Sequence, residues 1–481
     1  MEQQQEFIMS VSIINDIKFI EPVLSAITSV AQHYGISQKD IAQLALATEE
    51  AIVNVINFAY NPNEKAFIDV MIEIDDLDFT VIVRDKGKPF DFTSLDLDDD
   101  SMSGLGVKMM QNLTDKVEFR NLGNAGREQR LIKHLAELPE YSKRDEEERV
   151  ELPEDIKFDF HDLREHEAIE VARCVYDEFG YTYPSELVYY PQRFYEACQR
   201  GDIYSIVATT PDGEVAGHLA LVPWKGFNGV AEMAIGVIKR KYRKYSLITI
   251  LTDMIIDAAR DKYKLNGMFA QPVAYHTITQ KMCNRNKLEA CSFALNYDHP
   301  QFTPTFEKAG ERCTIACAML PFTYSSLDIY LPNEVNEMVM EIYNRMNLNR
   351  NIREGKATNP EIKSEITLSV DHITQVGKVH IKTIGDDIQE ELKKMMLTIK
   401  KEKSAIVEAY INLTDPSAPL CYEELKKHKF FCTGIFPLTT NGDYLTMECL
   451  LNEIVDYDGL KTIEPFTSLL NNIRKFDYNE M

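Results

Sequence analysis

The sequence predicts an α+β protein of several domains, in which an N-terminal α/β sandwich precedes one or two smaller α/β domains. Its 481 residues exceed one typical domain. Helical and strand-like hydrophobic periods alternate along the whole chain. A charged, Pro-flanked segment at 136–155 interrupts them and predicts a linker, or alternatively an exposed helix between packed domains.

Composition restricts the class of protein. With 44% hydrophobic and 27% charged residues the chain is typical of globular proteins. The net charge of −24 argues against direct nucleic-acid binding and against docking on an anionic membrane. The nine scattered cysteines form no C-x-x-C pair, the N-terminus is acidic, and no long apolar run occurs, so we expect a cytoplasmic protein.

The first region reads as a mixed sandwich, with helices layered on one face of a sheet. Ser37 is a suitable N-cap for its second helix. The predicted elements are a strand at 6–14, helices at 19–34 and 38–60, strands at 65–74 and 78–84, a helix at 105–113 and a last strand ending at Leu135.

The pattern restarts at Ile156, where a helix (161–178) and a second helix (191–199) precede a sheet-forming region. Next come strands at 203–209, 215–224 and 230–238, a helix at 246–261, a strand at 267–272, a helix at 276–286 and a strand at 289–296. A third block has strands at 312–320, 365–371, 377–382, 404–412 and 431–449, with helices at 333–346, 387–401 and 417–428.

The last two blocks resemble each other weakly. Each contains a polar helix, a lysine, an apolar residue and a strand, at 284–288 and again at 426–430. This indicates a diverged internal repeat. The predicted domains are therefore 1–137, a linker at 138–155, 156–305, and a degenerate second copy at 306–481.

Three short motifs in the first region carry chemistry. Glu50 and Asn54 lie one helical turn apart, so a carboxylate and a carboxamide share a face. Asp85 ends a strand and is followed by Gly87, which leaves room for a flat ring. Gly104 and Gly106 then open a helix whose free amides can hold phosphate, and Lys108 adds positive charge. Each motif alone is more often structural.

Together the three motifs resemble the GHKL superfamily of ATP-binding proteins, most closely its anti-sigma-factor serine kinase branch. Glu50-Ala-Ile-Val-Asn54 matches the N-box, Asp85-Lys-Gly-Lys-Pro-Phe90 the first glycine box, and Gly104-Leu-Gly106 the second. The match covers residues 5–136. The resemblance implies a Bergerat-type α/β sandwich that binds ATP and Mg²⁺.

The same resemblance assigns roles to residues. Asp85 would hold adenine, Asn54 would ligate Mg²⁺, Glu50 would be the general base, and 91–103 would be a lid. The implied partner is a protein, anti-anti-sigma-like or sigma-like, phosphorylated on serine, and a homodimer stays open. Two features depart from the family: Asp96, Asp98, Asp99 and Asp100 in the lid, and Gly126-Arg127-Glu128 where small hydroxyl residues are common.

Residues 156–297 resemble the GNAT acetyltransferase fold in the order of their predicted elements. In that family the turn between a strand and the next helix wraps the acyl-CoA pyrophosphate. Arg243, Lys244, Tyr245 and Ser246 form the matching turn, although Ser246 and Ile248 replace small residues. A solvated basic turn is the alternative.

Two further residues are candidates for acyl transfer. Cys283 aligns with the family's tyrosine acid, and Glu232 is a candidate base. A buried thiol and an ordinary strand residue are the alternatives.

The leading functional interpretation is an ATP-binding regulatory protein that phosphorylates or binds a protein partner and carries an acetyl-CoA-dependent acyltransferase-like region. The first alternative is an N-acetyltransferase regulated by an ATP-sensing domain. The second is a non-catalytic, nucleotide-dependent binding protein.

Overall fold

The computed structural model describes residues 6–75, 78–88, 102–135, 153, 156–299 and 312–479. The chain divides into two compact units, Met1–Arg149 and Val150–Met481. The predicted lid at 91–103 lies outside the described residues except for its last two positions, and most of the predicted linker also lies outside them.

In its described residues the first unit has one antiparallel sheet and three α-helices. Its strands lie in the order β1-β2-β3-β5-β4, and every described pair is antiparallel. The elements are β1 Glu6–Ile14, α1 Ile20–His33, α2 Gln38–Asn54, β2 Phe67–Asp75, β3 Asp78–Asp85, α3 Met102–Leu113, β4 Lys116–Asn121 and β5 Arg127–His134.

Alternation along the strands decides which face of this sheet the helices cover. Ile68, Val70 and Ile72 of β2 are fully buried in one core with Val23 and Ile27 of α1. Ser37 caps α2 as predicted, since its hydroxyl accepts the Asp40 N–H at 3.1 Å. The predicted last strand is present as β5, Arg127–His134, whereas strand β4, which forms a hairpin with it, was not predicted.

The second unit begins with a hairpin-rich segment. Its elements are β6 Asp159–Asp162, α4 Ala168–Phe179, α5 Pro191–Arg200, β7 Tyr204–Thr209, β8 Val215–Pro223, β9 Val230–Ile238, α6 Leu247–Asp257, β10 Gly267–Ala270, α7 Ile278–Arg285, β11 Glu289–Asp298 and β12 Cys313–Pro321. The later elements are β13 Leu327–Ile329, α8 Asn336–Arg345, β14 Arg350–Ile352, β15 Glu365–Asp371, β16 Val376–Thr383, α9 Ile388–Lys401, β17 Ile406–Asn412, α10 Ala418–Lys427, β18 Phe431–Thr439, β19 Gly442–Leu450 and α11 Phe466–Arg474.

A twelve-stranded sheet runs through the second unit, in the order β15-β16-β17-β19-β18-β11-β12-β10-β9-β8-β7-β6. From its centre outward, both halves repeat one pattern: β11-β12-β10-β9-β8 on one side and β18-β19-β17-β16-β15 on the other. The two halves join where Ser292 of β11 pairs with Gly434 of β18. A Cβ on Gly434 would lie 2.2 Å from the Cys291 carbonyl oxygen, so only glycine permits this junction.

The repeat extends to single residues. Lys287 after α7 and Lys429 after α10 both adopt left-handed backbone, with φ of 59° and 67°. The next residue in each copy, Leu288 or Phe430, is buried and donates its N–H to a carbonyl near the end of the preceding helix. The helix–lysine–apolar–strand pattern in the sequence thus corresponds to two equivalent helix ends.

Other sequence predictions need correction in this unit. The predicted helix 161–178 overlaps the end of strand β6, and α4 begins only at Ala168; the predicted strand 431–449 is the β18–β19 hairpin. In the sequence β12 comes after the predicted domain boundary at 306. In the sheet, however, it pairs with β10 and β11, which come before that boundary. The division into three domains and a linker stays a proposal. Within the described residues no helix is both long and apolar enough to cross a membrane.

Candidate functional site

Helix α2 presents the first pair of candidate residues. Glu50 and Asn54 are half-buried near its C-terminal end, and the Asn54 side-chain amide donates to Glu50 Oε1 at 3.1 Å. This bond engages the side-chain nitrogen of Asn54 and not its carbonyl oxygen. The carbonyl oxygen is the atom that could ligate a hard cation. The shared face predicted from their spacing is present.

Helix α3 brings the second glycine motif against this pair. A Cβ on Gly106 would lie 2.2 Å from Glu50 Oε1 and 2.9 Å from the Asn54 side-chain nitrogen. Glycine is therefore required by the close approach of α3 to α2. Gly104 lies in the first turn of α3, which begins at Met102, and Lys108 is half-buried one turn further on.

Asp85 ends β3 and is buried, with 2% of its surface exposed. Its Oδ1 accepts the Gly87 N–H at 2.8 Å, which forms the turn that the sequence predicts. A Cβ on Gly87 would lie 2.5 Å from both the Cβ and the carbonyl oxygen of Ala59. Gly87 therefore allows the turn to pack directly against the segment that follows α2.

Arg127 was missed as a site residue by sequence reasoning. Its Nε donates to both Asp85 oxygens, at 3.2 and 3.0 Å, because Arg127 of β5 is in register with Asp85 of β3. Gly126 makes this possible: its φ is 97°, and a Cβ at this position would lie only 2.1 Å from the Asp85 carbonyl oxygen. The departure from small hydroxyl residues at this position was the available signal.

In the second unit the predicted acyl-CoA turn is a 3-10 helix, Arg240–Tyr245, followed by Ser246 with left-handed backbone at φ 55°. Arg243 forms an ion pair with Glu178, and the Tyr245 hydroxyl donates to the Pro153 carbonyl. Several cations of the turn are thus engaged by carboxylates of the same unit.

Glu214 forms ion pairs with two lysines in and beside the same basic turn. Lys239 and Lys241 approach its oxygens to 2.9 and 2.8 Å. Burial would raise the pKa of Glu214, but hydrogen bonds from Lys241, Lys239 and Tyr242 outweigh it and lower the pKa to about 2. The basic cluster seen in the sequence is therefore mostly paired.

A groove of about 230 Å³ lies between α6 and α7. It is lined by Thr249 and Thr252 on α6 and by Lys281 and Arg285 on α7. Thr249 is in the first turn of α6, where amide N–H groups favour anions. Sequence reasoning selected neither Lys281 nor Arg285, because no motif marks them.

Strands β9 and β10 separate beside this groove. They pair in parallel over three residues only, from Val230–Gly267 to Glu232–Phe269, while β9 continues to Ile238. At the separation Ile235 has φ of 55°; its N–H donates to the Tyr183 hydroxyl at 2.9 Å. Its carbonyl oxygen lies 2.8 Å from His218 Nδ1, so both backbone groups are held by side chains.

The two acyl-transfer candidates occupy different environments. Burial raises the pKa of Glu232 to about 7, with Lys378 opposing and Asp298 adding to the shift. A carboxyl with such a pKa can exchange protons near neutrality. Cys283 is fully buried in the core, and burial raises its pKa to about 12, so its thiol is a poorer proton donor than the alignment suggests.

Comparison with solved structures finds acetyltransferases at low similarity. An N-acetyltransferase from Staphylococcus aureus Mu50 is 13% identical, with a TM-score of 0.30, and covers 35% of this chain and 99% of its own. The ribosomal-protein-S5-alanine acetyltransferase from Vibrio fischeri is 10% identical, with a TM-score of 0.29, and covers 35% and 95%.

Comparison by sequence identifies the first unit. The family model of the histidine kinase-like ATPase domain matches residues 15–133. The serine-protein kinase RsbW of Bacillus velezensis is 30% identical over 129 residues, which cover 24% of this chain and 79% of that kinase. RsbW of Bacillus subtilis is 26% identical over 115 residues, covering 22% and 72%. Through its first unit the chain therefore belongs to the histidine kinase-like ATPase family that includes the RsbW serine-protein kinases.

Proposed function

We propose that the chain is an ATP-dependent regulator whose first unit binds Mg·ATP and phosphorylates a serine of a protein partner, an anti-anti-sigma-like or sigma-like protein. The observation that carries the proposal is the packing of Gly106 onto Glu50 and Asn54. It joins a candidate base, a candidate metal ligand and a phosphate-binding helix start in one place.

Each residue has a role suited to its surroundings. Asn54 offers its carbonyl oxygen to Mg²⁺, and half-buried Glu50 is the base for the attacking hydroxyl. Asp85 and Gly87 form the part of the site that binds adenine. Gly104, Gly106 and Lys108 hold the phosphates. ATP bound by these residues supplies the phosphoryl group.

Isothermal titration of the full chain with Mg·ATP tests the binding half of this proposal. Asn54→Ala is expected to abolish Mg²⁺-dependent binding, whereas Glu50→Gln is expected to keep it and lose phosphoryl transfer to the partner. Glu49→Gln is the matched control, because Glu49 is exposed on the same helix. Absence of binding to the unsubstituted chain would overturn the proposal.

The same Glu50→Gln variant separates the kinase from a non-catalytic binding protein. A kinase loses its effect on the partner when the base is removed. A nucleotide-dependent binding protein keeps its effect, because it needs only the bound conformation. Transfer from radiolabelled ATP to the partner is the direct readout.

A second candidate, an acyl-CoA-dependent N-acetyltransferase regulated by the ATP-binding unit, is favoured by the separation of β9 from β10 beside the α6–α7 groove. Lys281 and Arg285 in the groove are positively charged and would attract the negatively charged phosphates of CoA. Arg285→Ala is expected to weaken acetyl-CoA binding about tenfold, measured by titration. Lys157→Ala, at an exposed lysine elsewhere in the unit, is the control.

The second half of the sheet has neither a separation of its parallel strands nor a basic turn before the corresponding helix. β16 and β17 stay paired over six residues, from Val376–Ile406 to Ile381–Ile411. Asp386 and Asp387 precede α9 where the first half has its basic turn, and carboxylates there repel phosphate. We infer that only the first half takes acyl-CoA and that the second is a degenerate copy.

A further inference from the structure

The two halves of the large sheet meet through an aromatic cluster as well as through β11 and β18. Phe227, from the loop after β8, has its ring centroid 4.9 Å from Tyr410 and 4.8 Å from Phe436 of the second half. Phe269 links the cluster onward, at 5.2 Å from Phe436 and 5.1 Å from Trp224. These ring contacts pack the two halves of the sheet against each other.

A cavity of about 20 Å³ lies beside this cluster and is lined by both halves. The first half contributes Trp224 and Gln271, which are half-buried, so we place the mouth of the cavity on their side. The second half contributes Glu408 together with the buried rings of Tyr410 and Phe436. The volume admits one small polar group, the size of a water molecule or an ammonium head.

Glu408 is the charged group of this lining. Its Oε2 is buried and makes no hydrogen bond within the part of the chain that the structure describes. Burial raises the pKa of Glu408, although Lys378 and Tyr410 oppose the shift. Lys378 Nζ forms an ion pair with this oxygen at 3.7 Å, beyond hydrogen-bond distance. A ligand that donates a hydrogen bond would therefore still lower the cost of burying this carboxylate.

The surroundings already accommodate one ammonium group. Lys378 Nζ lies 4.9 Å from the Trp224 ring centroid, 5.0 Å from the Tyr297 centroid and 3.7 Å from Glu408 Oε2. Aromatic faces beside a carboxylate are the arrangement that binds alkylammonium ions. Lys378 is flanked by more carboxylates than it can neutralise, since Glu232 and Asp298 also interact with it.

We propose that this cavity is a binding site for the ammonium head of a small primary alkylamine, built from both halves of the sheet. Glu408 accepts hydrogen bonds from the ammonium, while Tyr410, Phe436 and Trp224 surround it and the alkyl chain leaves past Trp224. The degenerate second half would thus have a role, supplying the anionic and aromatic side of the site. The proposal concerns binding and stands whether or not acetyl transfer occurs.

Trp224 provides a direct test, because it is the only tryptophan in the sequence. Titration of the full chain with butylamine is expected to change its fluorescence saturably, whereas butanol, equal in shape and uncharged, is expected to have no effect. Glu408→Gln is expected to weaken butylamine binding about tenfold or more. Tetramethylammonium, too large for the cavity, is expected to compete poorly.

Two controls keep the result interpretable. Glu402→Gln, at the C-terminal end of α9 and away from the cavity, is expected to bind butylamine like the unsubstituted chain. Tyr410→Leu removes one aromatic face of the site and tests it if Glu408→Gln fails to fold, with butylamine binding expected to weaken about fivefold. A response equal for butylamine and butanol, or unchanged affinity in both cavity variants, would overturn the proposal. Butylamine binding without acetyl transfer would support the binding site and would argue only against the acyltransferase function.

Discussion

Asp85 has one observed ionic partner and one proposed partner. Its side chain is fully buried and paired with Arg127, whose side chain is 12% exposed. The resemblance to GHKL proteins assigns the same carboxylate to adenine. Under the proposed function the base would be recognised beside a guanidinium, so the sequence departure at Gly126-Arg127 would act on this carboxylate.

The pair predicts a non-additive effect on stability. Arg127→Met leaves the Asp85 charge buried and unpaired, which should cost about 3 kcal/mol of unfolding free energy. Adding Asp85→Asn removes the charge and should recover part of that loss. Urea unfolding of the two variants measures the coupling. Arg120→Met, at a half-exposed arginine of β4, should change stability by less than about 0.5 kcal/mol, and an equal loss in both arginine variants would contradict the prediction.

Glu232 predicts a pH dependence of stability in the second unit. Its pKa is raised from 4.5 to about 7 by burial, so the folded state favours the neutral acid. Its stabilising contribution is complete below pH 4.5 and is lost as the pH rises through 7.

Glu232→Gln should remove this loss, giving a variant more stable than the unsubstituted chain by about 3 kcal/mol at pH 8 and nearly equal to it at pH 4.5. Chemical unfolding across that range measures the difference. Glu337→Gln, at an exposed glutamate of α8, should show no such divergence. A difference independent of pH would show that Glu232 titrates normally.

At the scale of elements, periodicity located most helices and strands. It predicted 230–238 for a strand observed at Val230–Ile238 and 387–401 for a helix observed at Ile388–Lys401. It failed at 431–449, which was predicted as one strand although the polar stretch 439–443 interrupts it. Asn441-Gly442 within that stretch is a hairpin signal and forms the turn, with Gly442 at φ 110°.

Candidate site residues were predictable to the extent that they form local motifs. Glu50, Asn54 and Gly106 could be selected because their spacing has a chemical meaning on a helix. Arg127 was marked only as a departure from the family pattern, because its partner is set by strand register. Lys378 and Glu408 gave no signal, because strand register and the packing of the two sheet halves set their surroundings. Contacts between residues far apart in sequence leave no periodic signal.

The matched helix ends predict matched responses. Lys287 and Lys429 both hold left-handed backbone, which glycine adopts without strain. Lys287→Gly and Lys429→Gly should each stabilise the chain by about 0.5–1 kcal/mol, with the same sign. Urea unfolding measures both, and Lys393→Gly, in the exposed middle of α9, should instead destabilise by about 1 kcal/mol. Opposite signs at the two lysines would argue against equivalence of the copies.

At the scale of the whole molecule, two compact units have separate hydrophobic cores. The core of the first unit runs from Ile13 to Leu135, and the largest core of the second runs from Ile206 to Ile473. A ligand stabilises only the cooperative unit that binds it, by about 2.7 kcal/mol at a hundred times its Kd. Ligand-induced shifts can therefore assign each proposed cofactor to a unit.

Differential scanning calorimetry of the full chain should resolve two transitions. Mg·ATP is expected to raise the Tm of one and acetyl-CoA that of the other, because the Glu50–Asn54 site and the α6–α7 groove belong to different units. Asn54→Ala should remove the ATP shift alone and Arg285→Ala the acetyl-CoA shift alone, which identifies each transition without cutting the chain. A single transition raised by both ligands would show that the units unfold together. The regulation of one unit by the other would then have a thermodynamic basis, and the independent behaviour expected from separate cores would be wrong.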